Sequence, residues 1–110
     1  MQVQDIVDKL NLTVLAGSKG LNREVTGGYV SDLLSDVMGF SNEGQVWITL
    51  QTHKNVMAIA SLKELAAIIL VKGFKPDADM AEQAEEEEIP ILATDESTFD
   101  ITGKLYTLLK

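Results

Sequence analysis

Two short polar segments carry the residue types most suited to binding a small ligand. The first is Thr26-Gly27-Gly28-Tyr29-Val30-Ser31-Asp32, where two glycines precede a serine and an aspartate that can each cap a following helix. Glycines leave backbone N–H groups open to a ligand, and a helix N-terminus attracts anions. Arg23, just upstream, would supply a charge-assisted partner for a phosphate or carboxylate. The structural alternative is a tight turn, an ordinary helix cap and a surface arginine.

The second segment is Thr49-Leu50-Gln51-Thr52-His53-Lys54-Asn55, which leads from the end of a predicted strand into a predicted helix. In open α/β sheets, ligands bind beyond the carboxyl ends of the strands. Thr49, Gln51, Thr52 and His53 offer hydrogen-bond donors and acceptors there, and the following lysine adds positive charge. The alternative is a solvated loop in which Thr52 or the asparagine caps the helix.

Residue types argue against catalysis, metal binding and a bound cofactor. His53 is the only histidine and the chain has no cysteine, so neither a thiolate site nor a two-histidine metal site can form within it. Gly17-Ser18-Lys19-Gly20 lacks the spacing of a phosphate-binding Walker loop. Glu85 to Glu88 are consecutive, so on a helix their side chains point around the axis rather than toward one cation. We therefore predict no catalytic residue, no metal and no cofactor.

Hydrophobic spacing predicts helices alternating with strands. The predicted elements are a helix with Val3, Ile6, Val7 and Leu10 on one face; strand Leu12–Ala16; a turn over 17–20; a brief strand Arg23–Val25; a helix capped at Ser31 or Asp32 and ended by Gly39; strand Val46–Leu50; a buried helix Asn55–Leu65; a central strand Ala67–Val71; a charged helix Asp77–Glu88; strand Ile91–Ala93; and a last helix with a Ser97–Asp100 capping box and Phe99, Leu105 and Leu109 facing inward.

This alternation predicts an α/β fold. Parallel strands need crossover connections, which the intervening helices supply. We expect a three-layer α/β/α arrangement with a mostly parallel sheet of about five strands, and 110 residues suit one domain spanning 1–110. The net charge of −8 repels nucleic acid and anionic membranes, and no apolar run is long enough to cross a bilayer. With no cysteine and no signal-peptide pattern, a cytoplasmic location is expected.

The run from Leu21 to Ser35, with Val46 to Thr49 and Ala66 to Val71, resembles the DRTGG domain family over nearly the whole chain. Asn22, Arg23, Thr26, Gly27 and Gly28 follow the order of the family's letters, with Asn in place of Asp and two residues between Arg and Thr. The resemblance implies a fold like the N-terminal domains of HPr kinase/phosphorylase and the Mur ligases. It also implies a regulatory role, because such domains accompany CBS pairs in regulated pyrophosphatases and the catalytic part of some phosphate acetyltransferases.

Two hypotheses of function follow. In the first, the domain is a non-enzymatic regulatory module that senses a small anionic metabolite, with nucleotides as the leading class, through Thr26 to Ser31 and the Thr49 to His53 loop. In the second, it is an interaction or structural subunit that takes no small ligand and either docks on a larger metabolic enzyme or homodimerises. Homodimerisation is expected in both, because a small domain with this apolar content has surface to bury.

Overall fold

Five strands and five α-helices alternate in the computed structural model, which describes residues 1–110. In chain order they are α1 Val3–Leu10, β1 Thr13–Ala16, a 3₁₀ turn Ser18–Gly20, β2 Gly27–Val30, α2 Leu34–Phe40, β3 Gln45–Thr49, α3 Asn55–Leu62, β4 Ala67–Leu70, α4 Ala78–Glu87, β5 Ile91–Ala93 and α5 Thr98–Leu109. None of the helices is both long enough and apolar enough to span a bilayer.

The strands form one sheet in the order β1-β5-β4-β3-β2. β2 to β5 run parallel, and β1 pairs antiparallel with β5 at one edge. All four residues of β4 are buried, as a strand covered on both faces requires. The predicted α/β fold, five-stranded sheet and central fourth strand are thereby confirmed.

Helices cover both faces of the sheet, and each face has its own hydrophobic core. On one face, residues of α2, α3 and α4 pack against Trp47, Ile68 and Ile91. On the other face, residues of α1 and α5 pack against Val46, Ile69 and Leu92. Neighbouring residues of one strand thus belong to opposite cores, as the two-residue period of a strand dictates. The result is the predicted three-layer sandwich.

The first and last helices follow their sequence patterns closely. Val3, Ile6 and Val7 are buried along one side of α1, which ends where Asn11 adopts a left-handed backbone conformation with φ 56°. At α5, the Ser97 hydroxyl accepts a hydrogen bond from the Asp100 backbone N–H at 3.1 Å, so the Ser97 half of the predicted capping box is present.

The prediction for the second strand was wrong. The segment 23–25 contributes only an isolated bridge between Glu24 and Gln2, and the strand is Gly27–Val30. The two glycines therefore lie in β2 instead of in a turn, and neither has a positive φ. A Cβ on Gly28 would lie 3.2 Å from Leu105 Cδ2, so this glycine allows α5 to pack closely on the strand.

Two further predictions about helices were wrong. α2 begins at Leu34 instead of directly after Ser31 or Asp32, and Gly39 lies inside it. The Ser31 hydroxyl accepts from the Leu33 N–H at 3.1 Å, which makes a local turn instead of a helix cap. Phe99 was expected to face inward but is 87% exposed, because the inward position in the first turn of α5 is taken by Ile101.

Candidate functional site

The carboxyl ends of β2, β3, β4 and β5 lie at one edge of the sheet because these strands are parallel. We call this the carboxyl edge, and the opposite one the amino edge. The sequence-predicted site residues divide between the two. Ser31, Asp32, Thr49 and the loop from Gln51 to His53 follow β2 and β3 at the carboxyl edge, whereas Arg23 and Thr26 precede β2 at the amino edge.

Asp32 joins the loops that follow β2 and β3. Its Oδ1 atom accepts from the Thr49 hydroxyl at 2.8 Å and from the Leu50 N–H at 2.9 Å. The Gln51 side-chain amide donates to the Asp32 backbone carbonyl at 2.8 Å, and the Gln51 N–H donates to Thr49 Oγ1 at 3.2 Å. Thr49 is only 1% exposed, so its hydroxyl needs these partners. The sequence analysis predicted these residues, and the structure brings them together in one network.

The β2 end of this edge is fixed by two further side-chain bonds. Trp47 Nε1 donates to the Ser31 carbonyl at 2.8 Å, and the Tyr29 hydroxyl donates to Asp36 Oδ2 at 2.9 Å. Burial raises the pKa of Tyr29, and the hydrogen bond to Asp36 and its negative charge raise it further. Tyr29 therefore remains a neutral donor at physiological pH.

Thr52 and His53 connect the β3 loop to the start of α4. The Asp77 backbone N–H donates to the Thr52 carbonyl at 2.9 Å, and His53 Nδ1 lies 2.9 Å from Asp77 Oδ2. The His53 side chain is 70% exposed, so this pair is accessible to solvent. Thr52 and His53 thus bond to Asp77 before α4, whereas Thr49 and Gln51 bond to Asp32 in the loop after β2.

Arg23 binds the end of a helix. Its Nε donates to the Glu88 carbonyl at 2.8 Å and its terminal nitrogen to the Glu87 carbonyl at 3.2 Å, at the carboxyl terminus of α4. A positive charge at this position complements the helix dipole. Along β2, Thr26 and Ser31 are separated by roughly 16 Å at about 3.3 Å per residue. Arg23 and the predicted polar loops therefore cannot contact one small anion together.

The amino edge near Arg23 is acidic. Arg23, Thr26, Glu24, Glu43 and Glu64 line one cavity of about 410 Å³, and Thr26 Oγ1 donates to the Glu43 carbonyl at 2.8 Å. The pKa of Glu43 is raised, first by a hydrogen bond with Glu64 and then by the negative charge of that group. Clustered carboxylates repel anions. No three carboxylate or histidine side chains in the chain converge as a metal site.

An open groove of about 1250 Å³ lies at the carboxyl edge beside β5 and β1, and the sequence analysis missed it. Lys9, Lys75 and Lys104 line it, together with Phe99 and the carboxylates of Asp95, Glu96 and Asp100. These residues come from α1, α5 and the loops after β4 and β5, so no local motif connects them. The only sequence signal was the position of Lys75 and Asp95 shortly after two predicted strands.

Comparison with solved structures supports the fold. The chain is similar to the crystal structure of the CBS and DRTGG domains of the regulatory region of Clostridium perfringens pyrophosphatase, complexed with its activator diadenosine tetraphosphate. The TM-score is 0.73 with 17% sequence identity, over 96% of this chain and 45% of that one. The protein thus spans less than half the length of that structure.

The family follows from the sequence itself. The family model of the DRTGG domain matches residues 5–108, which is nearly the whole chain. The family resemblance is confirmed by this match; in the structure Arg23 bonds to the end of α4, and Gly28 allows α5 to pack closely on β2. The protein belongs to the DRTGG domain family.

Proposed function

We propose that the protein is a non-enzymatic regulatory module that binds a small anionic metabolite at the carboxyl edge of its sheet. The observation that carries this proposal is the groove at that edge. It holds three of the nine basic side chains of a protein whose net charge is −8, beside the carboxylates of Asp95, Glu96 and Asp100, so its lining is neutral where the chain as a whole is negative. Cationic side chains around an open cavity attract anions locally even when the whole surface is negative.

The comparisons support a regulatory role and favour nucleotides. The similar pyrophosphatase region is regulatory and was crystallised with a dinucleotide activator. Because that chain is more than twice as long as the aligned part, its ligand and its enzyme are precedents for this protein only as a class. We propose that a larger metabolic enzyme is the target of the regulation.

In this proposal, the hydrogen-bond network of Asp32, Thr49 and Gln51 stabilises the carboxyl edge and does not bind the ligand itself. It holds the loops after β2 and β3 together, and the contact between His53 and Asp77 extends it toward α4. A ligand that rearranged one of these loops would move α2 or α4, since α4 begins directly after Asp77 and α2 begins two residues after Asp32. Ligand binding would thereby change the positions of helices on the outer surface of the domain.

An interaction role is the second candidate, and exposed apolar side chains favour it. Leu33 just before α2 is 64% exposed, and Met38 and Phe40 on α2 are 41% and 71% exposed. Leu62 at the end of neighbouring α3 is 66% exposed. Two adjacent helices on one face of the sheet thus present apolar groups to solvent. We propose that a second copy of the chain covers them in a homodimer.

A thermal-shift screen of the purified protein tests the leading proposal. The panel contains nucleotides, dinucleotides, acyl phosphates and, as non-anionic controls, nucleosides and sugars. A ligand at a hundredfold excess over its Kd adds about 2.7 kcal/mol to stability, which moves the midpoint of a domain this size by about ten degrees. A saturable shift with an anionic class supports the sensor, and a flat panel contradicts it and favours the interaction subunit.

A further inference from the structure

The sheet has one place where neighbouring parallel strands send their connections to opposite faces. The chain leaves β4 toward α4, which packs on the Trp47 face, and leaves β5 toward α5, which packs on the Val46 face. Where connections diverge in this way, a crevice opens outside the carboxyl ends of the strands, and ligands of open α/β sheets bind there. In this protein that crevice opens into the groove that contains Lys75 and Asp95.

We propose that this groove binds a nucleoside phosphate, with its phosphates on the lysines, its base on Phe99 and its sugar on the carboxylates. The inference rests on the proposed function and assigns it a site and a ligand class. The loops that form the crevice are fixed in place: the Lys72 N–H donates to the Glu96 carbonyl at 2.9 Å and the Gly73 N–H to the Thr94 carbonyl at 3.0 Å.

The lysines provide the phosphate-binding part. Lys9, Lys75 and Lys104 reach the groove from three separate elements, and all three are exposed. Lys9 and Lys75 have no carboxylate within ion-pair distance, whereas Lys104 lies 2.9 Å from Glu96. Two of the three ammonium groups are therefore free to pair with a phosphate without breaking an existing contact.

Phe99 provides the base-binding part. It is 87% exposed, the highest value among the large hydrophobic side chains. Its position in the first turn of α5 adds nothing to the core, so the ring presents an apolar surface to the groove. Aromatic rings in such positions stack on nucleobases, because every base has a flat aromatic face.

The carboxylates suit the sugar. Asp95 and Asp100 line the groove and form no ion pair with any lysine of the chain. An ionised carboxylate only accepts hydrogen bonds, and ribose hydroxyls are donors it can bind. These two groups make a bare inorganic anion a weaker ligand than a nucleoside phosphate. A nucleoside phosphate uses the lysines, the ring and the carboxylates together.

The other polar cluster at this edge is less suited to a ligand. The Asp32 carboxylate, the Thr49 hydroxyl and the Gln51 amide already bond to one another, so a ligand would have to replace those bonds. None of the three lines the groove. This contrast allows the two sites to be separated by mutation.

Isothermal titration calorimetry with ATP, tripolyphosphate and adenosine tests the assignment. The double variant K9Q/K75Q should bind ATP at least about tenfold more weakly, since it loses the two lysines that are free to pair with phosphate. F99A should weaken ATP binding about fivefold and leave tripolyphosphate unchanged. Three controls match these changes: K19Q at the amino edge, K54Q beside the Thr49 loop, and Y106A, an exposed aromatic on the same helix. All three should bind ATP like the wild type.

The outcomes separate the inference from the proposal on which it rests. If the wild type binds neither ATP nor tripolyphosphate, both are contradicted. If ATP binds but only K54Q weakens it, the site lies at the Thr49 loop; the regulatory proposal then survives and the groove assignment is overturned. If F99A weakens tripolyphosphate as much as ATP, stacking of the base on this ring is overturned as well.

Discussion

The Thr49 hydroxyl donates to Asp32 Oδ1 at 2.8 Å and thereby joins the carboxyl ends of β2 and β3. Thr49 is almost fully buried, so its hydroxyl has lost its hydrogen bonds to water. The charge-assisted bond to Asp32 offsets the free energy that this desolvation costs. The same carboxylate accepts from the Leu50 N–H, so one aspartate satisfies both a side chain and the backbone at this edge.

Replacement of Thr49 by valine keeps the shape and removes the bond. The T49V variant should lose about 1–2 kcal/mol of stability, because Asp32 loses a donor and the Gln51 N–H loses its acceptor. Urea unfolding monitored by the fluorescence of Trp47 measures the change. T13V is the matched control, since Thr13 also lies in a strand but is exposed. Equal stabilities for the two variants would contradict the assigned role of the bond.

Arg23 should matter for stability and not for ligand binding. R23A removes two hydrogen bonds to the last carbonyls of α4 and one favourable charge at its carboxyl terminus, so it should cost about 1–2 kcal/mol. K19A, an exposed change nearby, should be neutral. Chemical denaturation and ATP titration are both required. Loss of ATP affinity in R23A at unchanged stability would show that Arg23 binds the anion after all.

The two glycines of β2 should differ in their tolerance of a methyl group. A Cβ on Gly28 meets Leu105 Cδ2 at 3.2 Å, whereas the nearest atom to a Cβ on Gly27 lies at 3.9 Å. G27A should be neutral or slightly stabilising, because alanine restricts the unfolded chain. G28A should be less stable than G27A by about 1 kcal/mol through overpacking. Thermal unfolding of both variants decides this, and indistinguishable midpoints would contradict the close approach of α5.

Glu43 and Glu64 predict a pH dependence at the amino edge. The pKa of Glu43 is raised above its ordinary 4.5, chiefly through its hydrogen bond with Glu64. A raised pKa in the folded state stabilises the fold below the unfolded pKa, and this contribution is lost as the pH rises through the folded value. At neutral pH the two charges repel each other. E64Q should therefore unfold at a higher temperature than the wild type at pH 7.

The control for this prediction is E82Q, an exposed change of the same charge on α4. The advantage of E64Q over the wild type should shrink as the pH falls below the ordinary glutamate pKa, and it should shrink with added salt. An advantage that persists at pH 3 would contradict the carboxylate pair as its cause.

Much of the fold followed from local patterns. The spacing of Val3, Ile6 and Val7 identified α1, and the apolar run at 67–70 identified the central strand. β5 was predicted at its observed bounds, since Pro90 precedes it and polar residues follow. Gly28 was wrongly predicted to lie in a turn, because glycine is required there by a tertiary contact. A side chain at this position would meet Leu105 of α5, and the local sequence does not show this. Phe99 was wrongly predicted to face inward, because the inward position in the first turn of α5 is taken by the fully buried Ile101.

The candidate site was only half predictable. Asp32, Thr49 and Gln51 were identified because they follow strands, and the parallel register of β2 and β3 places them together. Lys9, Lys75 and Lys104 were not identified, because their proximity depends on the order of the strands and on which face each helix covers. Neither property can be inferred from the residues next to these lysines in the sequence.

Amide chemical-shift mapping by ¹H–¹⁵N NMR during titration with ATP tests the central claim most directly, because it locates binding without any mutation. The account predicts saturable shifts over residues 72–75 and 94–104 and at the end of α1, with smaller changes around Thr49. Absence of saturable shifts would contradict an anion-binding carboxyl edge. Shifts confined to the amino edge around Arg23 and Thr26 would contradict it equally and would restore the glycine segment as the site.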